Sequence, residues 1–181
     1  MSVYVAMLRG INVGGHKRIQ MERLRESLEA LGFEQVKTYI QSGNVVFKTA
    51  KLSPAGLSKR IEESILRDFG HSVSVISRTL DEMGKTIETN PFLKKRGIDQ
   101  TKLHVMFLPE TPVPSDLKQF EGLTATPDQS RCLGKEIYLY LPNGVAESLA
   151  NNPLERRLLK RGTIRNWRTV STLYQMCLDC G

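Results

Sequence analysis

Val36-Lys37-Thr38-Tyr39-Ile40-Gln41-Ser42-Gly43-Asn44-Val45-Val46-Phe47-Lys48 is the stretch that decides the fold. Val36–Ile40 and Val45–Lys48 are rich in β-branched and aromatic residues, the composition of strands. Gln41-Ser42-Gly43-Asn44 between them reads as a hairpin turn with Gly43 or Asn44 at positive φ. Working towards the N-terminus, Met21, Leu24, Leu28 and Leu31 recur at helical spacing, with Glu22, Arg23, Arg25, Glu26 and Glu29 on the other side. Gly32 closes that helix. Before it, Val3–Leu8 is a short apolar run that reads as a buried strand, joined to the helix by the loop Arg9–Gln20. Towards the C-terminus, Ser53 as cap and Pro54 at the first position open a helix to Phe69, with Leu57, Ile61, Ile65 and Phe69 as its stripe. Val73–Ser77 is a further strand.

The order β-α-β-β-α-β is the ferredoxin-like arrangement. A crossover helix makes the first and second strands point the same way. The loop Arg9–Gln20 and the hairpin Gln41–Asn44 are therefore expected on one edge of the sheet. The second half is less regular. Leu80–Ile87 reads as helix, Leu103–Leu108 and Ile137–Leu141 as strands, and Ser130–Leu133 as a weaker strand. Short helices are expected near Asp116–Phe120, Pro153–Lys160 and Asn166–Leu178. Read as a degenerate copy of the first half it would lack the last strand, and no sequence-level repeat relates the two. The fold class expected is α+β: a ferredoxin-like subdomain over 1–78, and a smaller mixed α/β subdomain over 79–181, closed by C-terminal helices and packed closely on the first.

Length and composition exclude several classes. At 181 residues, 40% hydrophobic and 25% charged, the chain is ordinary globular material. The longest uncharged apolar stretches, such as Tyr4–Leu8 and Ile137–Leu141, are strand-sized, far short of the ~20 residues that span a bilayer. The start, MSVYVAMLRG, has no basic n-region and runs straight into a strand pattern, so no signal peptide is read and the cytoplasm is the expected compartment. Three cysteines are too few for a disulfide framework. The net charge of +7, from 26 basic and 19 acidic residues, points to an anionic partner. Six cations and no acid lie between Arg156 and Arg168. Arg9, Lys17 and Arg18 bracket the glycine-bearing first loop.

Tyr4-Val5-Ala6-Met7-Leu8-Arg9-Gly10-Ile11-Asn12-Val13-Gly14-Gly15 resembles the hallmark start of a widespread bacterial family of uncharacterised proteins, catalogued as a domain of unknown function. The similarity continues through Met21, Leu24-Arg25, Leu31-Gly32-Phe33 and Thr38–Phe47, and ends with Thr163-Ile164-Arg165-Asn166-Trp167-Arg168-Thr169-Val170. It implies an α+β fold with a ferredoxin-like first half and implies no activity. Arg168 departs from it, since a small polar residue is common there, and Asn143–Asn152 lacks the lysine-bearing pattern associated with the family.

The first loop has the order strand, glycines, cations, helix, which suits an anion. Gly10-Ile11-Asn12-Val13-Gly14-Gly15-His16-Lys17 misses the Walker spacing by one position and lacks the Ser/Thr that holds Mg²⁺. The plainer reading is a loop whose glycines serve turn geometry. Ser42 has no neighbouring base and is not in a nucleophile elbow. Trp167, Val170, Cys177 and Leu173 or Tyr174 share a helical face and read as core, with Thr163 at the helix start. Cations beside a helix start, here Arg165 and Arg168, oppose the helix dipole. They imply a compensating anion or, more commonly for such runs, a solvated basic face. Cys177-Leu178-Asp179-Cys180 stands alone as a C-x-x-C. A zinc site would need Cys132 and one of His16, His71 or His104 as well, so no metal site is assigned. No motif implies a cofactor, and no catalytic residue is assigned.

The leading expectation is therefore a binding protein for an anionic ligand, nucleic acid or a phosphorylated small molecule. Arg9, Asn12, Gly14, Gly15 and Lys17 would hold phosphate. Gln41, Ser42 and Asn44 would lend specificity, and Arg165 and Asn166, with Arg168, would join if the last helix starts nearby. The alternatives are a small-molecule enzyme using Asn12, His16 or Ser42 at the same edge, and a protein-interaction module with a basic surface.

Overall fold

The structure is a computed structural model that describes residues 1–122, 127–151 and 153–181. It is mixed α+β, with two four-stranded antiparallel sheets and seven helices among the described residues. The chain divides into two compact units, residues Met1–Lys85 with Thr172–Gly181, and residues Thr86–Ser171. The divisions fall at 85/86 and 171/172, inside helices, where the sequence reading put a single boundary at 78/79. No helix among the described residues is long and apolar enough to cross a membrane.

The first unit contains β1 (Ser2–Leu8), α1 (Met21–Glu29), β2 (Glu34–Tyr39), β3 (Asn44–Thr49), α2 (Pro54–Phe69) and β4 (Val75–Thr79). The helix α3 (Leu80–Glu88) follows. The strand order is β2-β3-β1-β4, and every pairing is antiparallel. Tyr4, Ala6 and Leu8 point to one face of β1 and join Val45, Phe47, Leu24, Leu28, Leu57, Ile61 and Ile65 in the core. Val3, Val5 and Met7 alternate with them and are buried as well. A strand buried on both faces reads as a continuous apolar run rather than an alternating one. Burying each Leu or Ile side chain contributes roughly 1.5–3 kcal/mol, so these strand and helix stripes supply most of the drive to assemble the unit.

The helix ends follow local chemistry. Ser53 Oγ accepts from Gly56 N at 3.2 Å, Pro54 takes the first helical position, and Gly70 ends α2 in the left-handed region at φ +69°. Between α1 and α2 the contact is polar. Ser27 Oγ lies 2.7 Å from Ser64 Oγ and donates to Asp68 Oδ2 at 2.5 Å. Arg67 Nε donates to Asp68 Oδ1 at 2.7 Å. Arg67 and the two serine hydroxyls hold the Asp68 carboxyl well below the usual carboxylate range.

The second unit contains β5 (Leu103–Phe107), α4 (Pro114–Gly122), β6 (Gln129–Leu133), β7 (Glu136–Tyr140), α5 (Val145–Asn151), α6 (Pro153–Leu159) and β8 (Thr163–Asn166). Its strand order, β6-β7-β5-β8, repeats that of the first sheet strand for strand. Met106, Leu108, Ile137, Leu139, Leu141 and Leu158 form its core cluster. Asn90 Oδ1 accepts from Phe92 N at 3.0 Å, turning the chain so that the Phe92 ring is buried.

Two expectations are corrected here. Thr163 does not start the last helix, and the second half does not lack its last strand. Thr163–Asn166 is that strand, paired in register with β5 from Phe107↔Thr163 to His104↔Asn166. Gly162 explains how it fits, since a Cβ there would sit well inside van der Waals contact distance of Phe107 O and 2.8 Å from Leu108 Cδ2. The helix begins four residues later, as α7 (Trp167–Leu178). Asn166 Oδ1 accepts from Thr169 N at 2.8 Å, the capping contact expected of Asn. Trp167, Val170, Leu173 and Cys177 are buried along this helix.

Candidate functional site

Strand β1 ends between two neighbours. Leu8 N donates to Gly43 O at 2.7 Å, and Arg9 N donates to Ser74 O at 2.9 Å. The chain then makes a miniature hairpin. Asn12 N donates to Lys17 O at 3.2 Å, and His16 N donates to Val13 O at 3.0 Å. Gly14 and Gly15, the central residues, have φ of +57° and +78°. Two successive positive φ values are the signature of a type I′ turn, which demands glycine or asparagine. Both glycines are thus accounted for by turn geometry.

Asn12 fastens this loop to the rest of the edge. Its Oδ1 accepts from Ile19 N at 2.8 Å, and its Nδ2 donates to Ile19 O at 3.0 Å and to Gln41 O at 2.8 Å. The first loop and the β2–β3 hairpin therefore meet through one side chain. The same edge concentrates unusual backbone: Asn12, Lys17 and Ile40 are non-glycine residues at φ +54°, +45° and +49°. For a β-branched residue such as Ile40 that conformation is rare and costly, and such strain gathers where surrounding structure over-determines it. On the hairpin, Asn44 is fully buried and its Nδ2 donates to Ser42 Oγ at 2.8 Å and to Tyr39 O at 3.3 Å. Asn44 thus braces the hairpin from inside, while Gln41 is exposed and Ser42 half-buried.

An open cleft of ≈ 740 Å³ lies beside this junction, lined by Asn12, Gly15, Arg18, Ile19, Gln20, Met21, Glu22 and Gln41. Helix α1 starts at its wall with Gln20 in the cap position and no side-chain cap. Its first N–H groups carry the positive end of the helix dipole. Arg18 sits against the turn, with its Nη2 3.6 Å from where a Cβ on Gly15 would be. Glu22 is the acid of the first turn. The cleft therefore carries one cation, Arg18 beside Gly15, and one acid, Glu22.

Residues 1–138 match the family described as a protein of unknown function (DUF1697). The chain belongs to that family. Among solved structures, the DUF1697 chain is similar to the conserved bacterial protein SP0830 from Streptococcus pneumoniae. The two are 27% identical with a TM-score of 0.74, over 97% of this chain and 98% of that one. No curated protein matches it.

Of the residues the sequence singled out, the structure gathers Asn12, Gly15 and Gln41 around the cleft of this DUF1697 chain. Gly14 lies in the adjoining turn. Lys17 leaves the loop on another side and donates from Nζ to Ser72 O at 2.6 Å. Arg9 is half-buried at the end of β1. His16 is exposed beside the turn. Arg18 lines the cleft but was not among the residues proposed from the sequence, which treated it only as part of the local charge.

Arg165 and Asn166 belong to the second unit, on β8. Arg165 Nη1 donates to Thr163 Oγ1 at 2.6 Å and to Ile164 O at 2.9 Å, and burial pushes its guanidinium down to about 10. Asn166 lines a separate cleft of ≈ 460 Å³ with Gln100, Thr101, Trp167, Arg168 and Ser171. In the basic run, Arg157 pairs with Asp116 and Arg161 with Glu110.

Among the described residues no group of three or more His, Cys, Asp and Glu is placed to hold a metal ion. Cys177 and Cys180 are buried, and desolvation pushes the Cys177 thiol up to about 12, with Cys180 adding to the shift. Burial likewise raises Cys132 to about 11. The thiolate is the nucleophile, so alkylation with iodoacetamide at pH 8, followed by mass spectrometry, is expected to leave Cys132 and Cys177 unmodified until denaturant is added. Labelling of native Cys177 at the rate of an unfolded control would contradict this assignment.

Proposed function

We propose that the first unit, as a ferredoxin-like βαββαβ module, binds the phosphate of an anionic ligand at the cleft between the first loop, the start of α1 and the β2–β3 hairpin. The ligand is a nucleic acid or a phosphorylated small molecule. The observation that carries this reading is the Arg18 guanidinium set against the Gly14-Gly15 turn on the wall of a cleft into which an uncapped helix start also opens. Backbone N–H groups at a helix start and a neighbouring guanidinium are complementary to phosphate oxygens. Arg9 and Lys17 add positive potential to the same edge, and exposed Gln41 offers hydrogen bonds to the rest of the ligand. Asn12 and Asn44 position the two loops rather than contact the ligand.

A catalytic role at this edge has less support. Both polar atoms of the Asn12 side chain are engaged, and Ser42 Oγ accepts from Asn44. His16 lies outside the residues lining the cleft.

Fluorescence anisotropy of a labelled single-stranded RNA and a DNA duplex at two salt concentrations tests the reading, alongside calorimetry with inorganic pyrophosphate. Nucleic-acid binding that weakens steeply with salt identifies several phosphate contacts. Pyrophosphate binding without RNA or DNA binding identifies a phosphorylated small molecule. In either case Arg18→Ala is expected to lower affinity about tenfold, the effect of losing a charged hydrogen-bonding pair worth about 1.4 kcal/mol. The double variant Arg9→Ala, Lys17→Ala is expected to lower it further, with circular dichroism unchanged. Absence of binding to all three probes, or affinity indifferent to Arg18, overturns the proposal.

A further inference from the structure

The two sheets share a strand order but treat their corresponding outer strands differently. β2, at the edge of the first sheet, is guarded. Its register shifts between Glu34 and Lys37, the mark of a bulge, and Gln35 there has φ +51°. Cys180 Sγ donates to Gln35 Oε1 at 3.3 Å, so the chain's last residues are fastened to that irregular strand, and exposed Glu34 and Lys37 add charge to it. Bulges and edge charges are the usual means of stopping a sheet from recruiting another strand.

β6 holds the corresponding place in the second sheet and, among the described residues, has no bulge. It pairs with β7 in unbroken register from Gln129↔Tyr140 to Leu133↔Glu136, with no proline. Among the described residues no strand pairs with its outer side. Arg131 at its centre is exposed, and Leu133 is 43% exposed. Lys95 Nζ donates to Gln129 Oε1 at 3.1 Å, which places a second cation at the start of the strand, followed in sequence by Arg96.

We propose that β6 is a docking edge that accepts an extended acidic peptide segment of a partner protein as a fifth strand. Backbone groups on the outer side of β6 would supply the ladder, and Arg131 with Lys95 would select carboxylates on the incoming strand. A second copy of the chain is the poorer occupant. Antiparallel self-pairing centred on β6 sets Arg131 opposite its own counterpart, and like charges directly opposite are destabilising.

The test uses the full chain and two labelled octapeptides, one alternating valine with glutamate and the other valine with lysine. The glutamate peptide is expected to bind with micromolar affinity and to slow hydrogen exchange across Gln129–Leu133. Arg131→Glu is expected to weaken the glutamate peptide at least about tenfold and to admit the lysine peptide, while Arg131→Lys retains the original preference. Since Arg131 is exposed, a native circular dichroism spectrum is expected for both variants. The proposal is overturned by no binding of the glutamate peptide, or by binding that ignores Arg131→Glu. Protection at Arg9–Gln20 instead of β6 overturns it too, as does protection of β6 by self-association at rising protein concentration.

Discussion

Gly43→Ala is expected to destabilise the protein by roughly 3 kcal/mol, a large part of the 5–15 kcal/mol that holds a typical domain together. Two independent costs combine. Gly43 has φ +77°, where any residue with a Cβ loses about 1–2 kcal/mol. The added methyl would also meet Leu8 Cβ at 2.7 Å and Ile11 Cδ1 at 2.8 Å. Leu8 and Ile11 are themselves buried in the core of the first unit, so neither can retreat, and overpacking of this kind costs typically 1–3 kcal/mol. Gly70→Ala separates the two. Gly70 has a similar φ of +69° but nothing within 4 Å of an added Cβ. It should show the backbone cost alone. The comparison is made by urea denaturation at unchanged slope, and equal losses at the two positions would refute the packing argument.

The second large effect is expected at Asn12. Asn12→Ala removes three hydrogen bonds, two to Ile19 and one to Gln41, each with a net contribution of about 0.5–1.5 kcal/mol. It also places alanine at a φ of +54° that asparagine tolerates better. A loss of about 3 kcal/mol follows, together with faster hydrogen exchange over Arg9–Gln20. Asn12→Gly loses the same hydrogen bonds but relieves the backbone, so it should be milder by about 1 kcal/mol. A loop whose exchange is unaltered in Asn12→Ala would show that the contact to Gln41 does not hold it. Because Asn12 lines the cleft and joins the two loops that frame it, affinity for the proposed anionic ligand is expected to fall in both variants.

Much of the first unit was readable from residue pattern. The stripe Leu57, Ile61, Ile65, the cap Ser53 and Pro54 define α2 locally, and the structure gives the helix those bounds. Leu24 and Leu28 mark α1 in the same way, but that helix ends at Glu29 with Ala30 as its cap, short of the Leu31 and Gly32 that the spacing indicated. Trp167 was read as core because it shares a helical face with Val170, Leu173 and Cys177, and it is buried. What escaped was Thr163-Ile164-Arg165-Asn166. Four residues with one charge do not distinguish a strand from the lead-in to a helix, and only pairing with β5 settles which it is. The correspondence between the two sheets was hidden for a related reason. A sheet of given order requires only that apolar residues recur at the strand period, and many unrelated sequences meet that condition.

The candidate site divides in the same way. The sequence alone determined that two polar, glycine-bearing loops with nearby cations belong to one α+β unit, since hydrophobic period, caps and turn residues act over a few positions. Tertiary structure decided which side chains reach the cleft. Lys17 and Arg18 are adjacent cations in the sequence, yet Lys17 turns to Ser72 and Arg18 lines the cleft beside Gly15. Asn12 and Asn44 both make hydrogen bonds that brace this edge, and Asn12 also lines the cleft. The direction a loop side chain takes depends on its backbone φ and ψ together with its rotamer. Here positive φ values are held by hydrogen bonds between segments as far apart as Asn12 and Gln41, and such bonds exist only once the sheet has brought both loops to one edge.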